Sequence, residues 1–356
     1  MGTIRPFSEE DIPQVIELNT RLFPGSAGLS RADQEFRFRE IALRNPWYDP
    51  RITSLVHVEQ SGKISGFIGI IPRKMTFRGT PVSVGIGQHL MVDKATFAAL
   101  QLFKAFISGP QDISIADLAA DVTKKLWERL GGTTAYTHSI FWRKPLRPIA
   151  TASQYAKRKK SLSLVGSALA PFASGLDSLL NLIAIAPLHI SKPDTRGEEL
   201  TIDTMLQDLP KFSSGRDLIP AYTKESLKWL FDILSREQRF GALRKVLVKD
   251  SVGTNIGWYI YHLNPTGRSE VLQIAGTSGS YREVLHHLLY DAREHGSPEI
   301  AGRVDPLFMK EYADRYCLFF PGSAWVLMHS KIPDVVNAIN AGNVFLTRLD
   351  GDLWFF

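Results

Sequence analysis

The chain has 356 residues, of which 44% are hydrophobic and 22% are charged, and its formal net charge is +6. The length suggests about two domains, and the apolar content suffices for packed cores, which excludes a disordered chain. The single cysteine, Cys317, excludes a disulfide framework and a cysteine metal cluster within the chain, so we expect a reducing, cytoplasmic compartment and no metal.

The positive charge is modest, and its densest run is Lys157–Lys160. Neither zinc-finger spacing nor a basic helix followed by heptads accompanies it, so we expect no nucleic-acid partner. The N-terminal residues 1–7 lack the apolar stretch of a secretory signal peptide.

Hydrophobic periodicity in the first 150 residues alternates between strand and helix patterns. Ser8 followed by three acids predicts the start of a helix, because acids suit the positive end of its dipole. The predicted elements are a strand at Ile4, a helix from Ser8, strands at 55–58, 64–77 and 82–92, a helix at 93–107, a strand at 112–116, a helix at 121–130 and a strand at 133–142.

Residues 199–356 repeat this order of elements without visible similarity in sequence. We therefore predict an N-terminal domain over 1–150 and a C-terminal domain over 199–356. The elements predicted for the second are strands at 200–205, 244–249, 255–263, 270–276, 299–304, 325–329, 344–349 and 353–356, and helices at 226–234, 281–295, 306–316 and 332–341.

The segment 151–198 is predicted to be a helical linker. Apolar residues recur at spacings of three and four through 161–187, where the only charge is Asp177. One interpretation is a pair of helices packed between the domains, and the other is a helix that lies on a membrane surface. A transmembrane span is disfavoured, since Asp177, Pro171 and two glycines interrupt the stripe.

The opening Ile4–Asp11 and the helix end Leu126–Gly131 resemble the general N-acetyltransferase (GNAT) superfamily, whose order of elements is the one predicted above. The stretches 109–132 and 346–356 are similar to a bacterial subgroup with two such domains. The resemblance implies an α/β (α+β) protein with tandem GNAT-like domains, each a mixed, mostly antiparallel twisted sheet flanked by helices.

The resemblance also implies an acyl-CoA co-substrate, with its pantetheine arm between two diverging strands and its diphosphate at a helix N-terminus. The glycines of the usual signature are absent after Met91, and Asp93 brings a negative charge. The tyrosine that often serves as the acid is replaced by Trp127. The residues implied to bind the cofactor in this half are Met91, Val92, Lys94 and Thr96.

The second half offers a loop of glycines and hydroxyl residues directly before a helix, which is either an anion-binding nest or a loop that ends in an N-cap serine. Its residues are Gly276, Thr277, Ser278, Gly279 and Ser280.

Acyl transfer to an amine needs a base, donors for the oxyanion and an acid for the leaving thiolate. In the first half the candidates at strand ends are His89, Asp117 and His138, although a strand histidine is often structural and Asp117 also suits a helix N-cap. In the second half they are His262, Arg303, Asp305 and His329, with an ion pair within 303–305 as the alternative.

These patterns predict an N-acyltransferase that moves an acyl group from acetyl-CoA or another acyl-CoA to an amine or hydroxyl. The alternatives are a non-catalytic GNAT-fold binding or scaffold protein and a tandem transferase of the aminoacyl type. Peripheral membrane contact through 161–187 is a further possibility, and the oligomeric state is left open.

Overall fold

The computed structural model describes residues 2–23, 29–93, 96–158, 177, 189–321 and 324–352. The helices are α1 (Ile12–Leu22), α2 (Arg31–Arg37), α3 (Thr96–Ile107), α4 (Asp121–Arg129), α5 (Pro148–Arg158), α6 (Ile202–Phe212), α7 (Lys224–Ser235), α8 (Tyr281–Glu294), α9 (Met309–Asp314) and α10 (Pro333–Asn340). The strands are β1 (Thr3–Pro6), β2 (Leu55–Val58), β3 (Ile64–Phe77), β4 (Thr80–Val92), β5 (Ile113–Ala119), β6 (Thr133–Thr134), β7 (Ile140–Pro145), β8 (Arg196–Glu199), β9 (Leu218–Pro220), β10 (Ala242–Lys249), β11 (Asn255–Leu263), β12 (Arg268–Gly276), β13 (Glu299–Arg303), β14 (Leu318–Pro321) and β15 (Trp325–Ser330).

The strands form two mixed sheets. The first has the order β1-β2-β3-β4-β5-β15-β6, with β9 on the far part of β3, and the second has the order β14-β7-β13-β12-β11-β10-β8. Within these sheets β4 runs parallel to β5 and β12 runs parallel to β13, whereas the other strand pairs are antiparallel. The prediction of mixed, mostly antiparallel sheets flanked by helices is confirmed.

The first sheet takes β15 and the short β9 from the C-terminal half of the chain, and the second sheet takes β7 from the N-terminal half. Strand β7 pairs with β13 in the second sheet, where Trp142 lies opposite Gly302. Strand β15 pairs with β5 in the first sheet, where Leu327 lies opposite Ala116. The predicted last strand of the first half therefore contributes to the C-terminal sheet, and 325–330 returns to the N-terminal one.

Helix α3 lies close against the first sheet because glycines leave room for its large side chains. A Cβ on Gly87 would lie 2.6 Å from the Phe106 ring, and one on Gly66 would lie 3.0 Å from Leu102. A contact this short is not tolerated, so a side chain at position 87 would require the buried Phe106 ring to move.

Three predicted strands differ from the structure. Residues 202–212 form α6, because Thr201 caps a helix by accepting a hydrogen bond from the Thr204 amide at 3.1 Å. The predicted strand at 133–142 is interrupted by a 3-10 turn over Thr137–Ser139. The described part of 344–349 makes one isolated bridge at Val344 and then enters a 3-10 turn.

The apolar stripe at 161–187 lies outside the described residues except for Asp177. That carboxylate is buried and accepts hydrogen bonds from the amides of Ile149 and Ala150 at 2.8 and 3.0 Å. It therefore caps the N-terminus of α5, which explains one charge in an otherwise uncharged stretch. In the part of the chain that the structure describes, no helix is long and apolar enough to cross a membrane.

Leu327 tests how strongly the exchanged strand stabilises the fold. Its side chain is fully buried in the core that also contains Phe103 and Trp127. We expect Leu327→Ala to lower the free energy of unfolding by about 2–5 kcal/mol, since it leaves a cavity at the seam between the halves. Chemical denaturation measures this loss, and Val252→Ala at an exposed position is the control, expected to stay within about 0.5 kcal/mol of the parent. Equal stability of the two variants would contradict a stabilising role for β15.

Candidate active site

Strands β4 and β5 run side by side and then separate. They pair in parallel from Val84 with Ile113 to Gly87 with Ala116, and this pairing ends there although both strands continue. The opposite edge of β5 remains paired, because β15 follows it as far as Ala119. A gap therefore opens between two strands within an otherwise continuous sheet.

A bulge in β4 lies at the start of this gap. Phe67 of β3 pairs with Met91, whereas Gly69 pairs with Gln88, so His89 and Leu90 together face one residue of β3. His89 has a φ of 49°, and Leu118 on the facing strand has a φ of 61°. Positive φ is uncommon for such side chains, and it marks backbone that turns away from regular pairing on both sides of the gap.

A cavity of about 340 Å³ occupies the gap. Its lining is apolar toward α3 and polar toward α1 and the C-terminal residues. The lining residues are Phe23, Ile68, Gly87, Gln88, His89, Leu90, Phe103, Ala116, Asp117, Leu118, Ala119, Ala120, Thr123 and Asp352.

His89 is fixed on the polar side of the cavity by a chain of hydrogen bonds. Its Nε2 lies 2.9 Å from Oδ1 of Asn19, whose amide nitrogen donates to Gln34 Oε1 at 3.1 Å. Since Oδ1 is the acceptor atom, Nε2 carries the proton and the ring is held in one tautomer. Burial, with a smaller contribution from the Arg37 guanidinium, lowers the pKa of His89 to about 4, so the imidazole is neutral at pH 7.

Asp117 lies within β5 and is buried. The alternative that it caps the next helix is wrong, because Ala120 occupies the N-cap position of α4. One carboxylate oxygen of Asp117 forms an ion pair with Arg303 of the C-terminal half, and the other accepts a hydrogen bond from the Asp352 amide at 3.3 Å. The cavity wall is thus joined to the second half of the chain.

His138 lies in the 3-10 turn before β7 and not on a strand, and it does not line the cavity. Its ring is buried near Arg303 and Arg216. Burial, followed by these two cations, lowers the pKa of His138 to about 3. This places a neutral, enclosed imidazole behind the cavity wall.

The residues expected to bind the cofactor in this half begin at the end of β4. Met91 is buried, and Val92 is partly exposed at the strand end. Lys94 and the side chain of Thr96 lie outside the described residues, although the backbone of Thr96 begins α3. Asp93 forms ion pairs with Arg21 at 2.9 Å and with Lys63 at 3.3 Å, so two cations offset its negative charge.

The second half has a corresponding pair of strands, but the space between them is filled. Strands β12 and β13 stay paired only as far as Glu270 with Ala301, and β12 also contains a bulge near Leu272. The remaining cavity is about 30 Å³ and is lined in part by Leu346–Arg348. Arg348 is buried there and pairs with Glu270 at 3.1 Å. The C-terminal segment thus occupies the second gap.

The loop Gly276–Ser280 lies at the N-terminus of α8, and its polar groups bond to one another. The Ser280 hydroxyl donates to the Ile256 carbonyl at 2.6 Å and accepts a hydrogen bond from the Thr277 amide at 3.1 Å. The amides of Ser280 and Tyr281 both donate to the Thr277 carbonyl. These three amides are therefore already used within the loop, which leaves Ser278 and Gly279 as the residues most open to a ligand.

Arg303 and Asp305 do not pair with each other. Arg303 binds Asp117, and Asp305 accepts a hydrogen bond from Arg216 at 2.6 Å. The expected local ion pair is wrong, because each side chain has a partner on another element.

Trp127 is also structural: it is fully buried, and its Nε1 donates to the Met328 carbonyl at 3.0 Å.

Several cavity residues were not singled out in the sequence, among them Gln88, Leu118 and Asp352. Gln88 is the neighbour of the candidate His89 in the same strand, so the strand pattern could have indicated it. Asp352 is more than 230 positions from Asp117, and no local pattern could bring them together.

Among the described residues, no group of three or more His, Cys, Asp or Glu side chains could hold a metal ion.

Comparison with solved structures identifies the fold. A probable N-acyltransferase from Enterococcus faecalis is 7% identical with a TM-score of 0.58, covering 93% of this chain and 72% of its own. A GCN5-related N-acetyltransferase from Anabaena variabilis is 13% identical with a TM-score of 0.58, and the match covers 92% of this chain and 72% of that protein. An N-myristoyltransferase from Saccharomyces cerevisiae, solved with myristoyl-CoA, is 12% identical with a TM-score of 0.52. The match covers 92% of this chain and 79% of that protein.

No protein-family model matches the sequence, and no curated protein matches it significantly. The similarity to the solved structures therefore establishes the fold alone. The chain has the GNAT fold over nearly its whole length, as the order of elements predicts.

The lowered pKa of His89 predicts a measurable pH dependence of stability. An unfolded histidine titrates near pH 6.5. Between there and about pH 4 the unfolded chain therefore binds a proton that folded His89 does not, and the free energy of unfolding falls as the pH is lowered. We expect His89→Asn, which tolerates the positive φ, to lose less stability over this range than the parent. Urea unfolding at several pH values measures both curves, and parallel curves would contradict the assignment.

Proposed function

We propose that this protein transfers an acyl group from an acyl-CoA to an amine, and that the reaction takes place in the gap between β4 and β5. The cavity between these two parallel strands is the observation on which the proposal rests. The GNAT fold of the chain supports acyl transfer as the type of reaction.

The gap suits an extended thioester arm. Beyond Gly87 and Ala116 the facing edges of β4 and β5 no longer pair with each other, so their backbone groups are directed into the gap. A pantetheine arm carries two amides and can bind there as an added strand does, by main-chain hydrogen bonds. The arm would then run along β4 from the start of α3 toward the bulge at His89.

The two sides of the gap differ in a way that separates donor from acceptor. Toward α3 the wall consists of apolar side chains such as Ile68 and Phe103, which suit an acyl group. Toward the other side His89, Asp117 and Asp352 line the cavity. Carboxylates attract a protonated amine, so we assign this side to the acceptor. Asp117 itself is paired with Arg303 of the C-terminal half.

In the reaction the amine nitrogen attacks the thioester carbon, the C–S bond breaks and the thiolate leaves with the bonding electron pair. Backbone amides at the bulge are the proposed donors to the oxyanion. Nδ1 of His89, the ring nitrogen that does not carry the proton, is the proposed acceptor of the amine proton. Its pKa of about 4 makes it a weak base for a free ammonium, but the ammonium of the tetrahedral intermediate is far more acidic. Asp117 is proposed to shape the acceptor side, and His138 is too enclosed to contact substrate.

The first half is the proposed donor site, with Met91, Val92, Lys94 and Thr96 near the diphosphate. Arg21 and Lys63 offset Asp93 beside the start of α3, so the local charge does not repel phosphate. The gap of the second half is about ten times smaller, 30 against 340 Å³. We therefore do not assign acyl-CoA binding to Gly276–Ser280.

Thermal unfolding with and without acetyl-CoA at ~1 mM tests donor binding, because a ligand present at about 100 times its Kd stabilises the native state by about 2.7 kcal/mol. We expect Thr123→Trp, which puts an indole into the cavity from α4, to abolish the rise in Tm. Val122→Trp on the same helix, at a position that is 76% exposed, and Gly279→Glu in the second-half loop should retain it.

Each outcome discriminates between the functions considered. Loss of the shift in Gly279→Glu alone would move the donor site to the second half. No shift with any acyl-CoA would contradict the proposal and favour a non-catalytic GNAT-fold protein or a transferase with an aminoacyl donor. Where binding is found, release of the CoA thiol in the presence of primary amines separates an enzyme from a binding protein.

A further inference from the structure

The inner end of the gap is closed by aromatic side chains. This end lies at Gly87 and Ala116, where the pairing between β4 and β5 stops. Phe103 lines the cavity there, and Phe106 fills the space that a side chain at position 87 would need. A group that enters the gap along β4 therefore meets the Phe103 ring, since Phe106 is not part of the cavity lining.

A third ring holds the first two in place. Trp127 packs edge-on against Phe103 at 5.6 Å and lies 5.8 Å from Phe106, measured between ring centroids. The three side chains, which we call the aromatic wall, are 2%, 1% and 0% exposed. Trp127 is further fixed by its hydrogen bond to Met328 on the exchanged strand. The wall is thus part of the packed core, and moving it requires the core to repack.

The size of the cavity limits what can lie in front of the wall. Ligand cavities commonly have about 300–1,000 Å³, and this one has about 340 Å³. The end of the pantetheine arm must share that volume with the acyl group. A long acyl chain would need an apolar continuation of the cavity, and the aromatic wall stands where that continuation would begin.

The geometry points to a donor with a short acyl group, of the acetyl to butyryl class, whose length is limited by Phe103. This inference rests on the proposed function, because it assumes that the gap holds an acyl thioester. Phe103 is the specificity-determining residue and not Phe106, since Phe103 faces the cavity whereas Phe106 packs against Gly87. Replacing Phe103 by alanine extends the cavity toward Trp127 without removing a polar contact.

The test compares binding of CoA, acetyl-CoA, butyryl-CoA, octanoyl-CoA and myristoyl-CoA by calorimetry. We expect the parent protein to bind the first three more tightly than the last two, by about tenfold or more. Phe103→Ala should bring octanoyl-CoA to at least the affinity of acetyl-CoA. The control is Phe231→Ala, which removes the same side chain from the core of the C-terminal half and should keep the parent's preference. Phe103→Leu serves if the alanine variant does not fold.

The possible failures are distinguishable. If no CoA species binds the parent, the proposed function fails and this inference fails with it. If the parent binds octanoyl-CoA or myristoyl-CoA more tightly than acetyl-CoA, the donor is not short and only this inference is overturned. If the parent prefers short donors but folded Phe103 variants keep that preference unchanged, Phe103 is not the limit.

Discussion

The pairing of β5 with β15 is the constraint on which the candidate site depends. A strand that leaves its neighbour in a sheet exposes backbone donors and acceptors, and such an edge is stable only if its other side is well held. Here β15 runs antiparallel along β5 as far as Ala119, beyond the point where β4 has departed. A strand from the C-terminal half therefore holds the outer edge of β5 beside the gap.

The two halves differ because the C-terminal segment fills one of the two gaps. In the first half the gap stays open, and in the second the segment Leu346–Arg348 fills the corresponding space. This segment leads directly to Gly351, where any side chain would collide with the Asp117 carboxylate, and to Asp352 at the cavity. One stretch of chain therefore closes the second gap and completes the wall of the first. Arg303, which reaches Asp117 from β13, adds a charged contact along the same boundary.

The sequence predicted the order of elements well because periodicity and caps are local signals. The Ser8 cap, the long strand at 64–77 and the helix from Tyr281 lie where their patterns indicated. It could not predict which sheet β7 and β15 join, since both are ordinary strands and their partners are distant in sequence. For the same reason His89 and Asp117 were found as candidates, but the partners that determine their chemistry, Asn19 and Arg303, were not paired with them.

The missing glycines before α3 are compatible with the proposed donor site in the open gap. Glycines at that position let phosphate approach backbone amides, which is one way to supply positive potential. In this chain Arg21 and Lys63 converge on Asp93 beside the same helix end, so the acid is compensated and both cations remain about half exposed. A diphosphate that arrives there meets two long, flexible cations and the dipole of α3. This chain thus differs from the usual signature in which groups supply positive charge at the N-terminus of α3. The gap that would hold the acyl arm is formed by the strands.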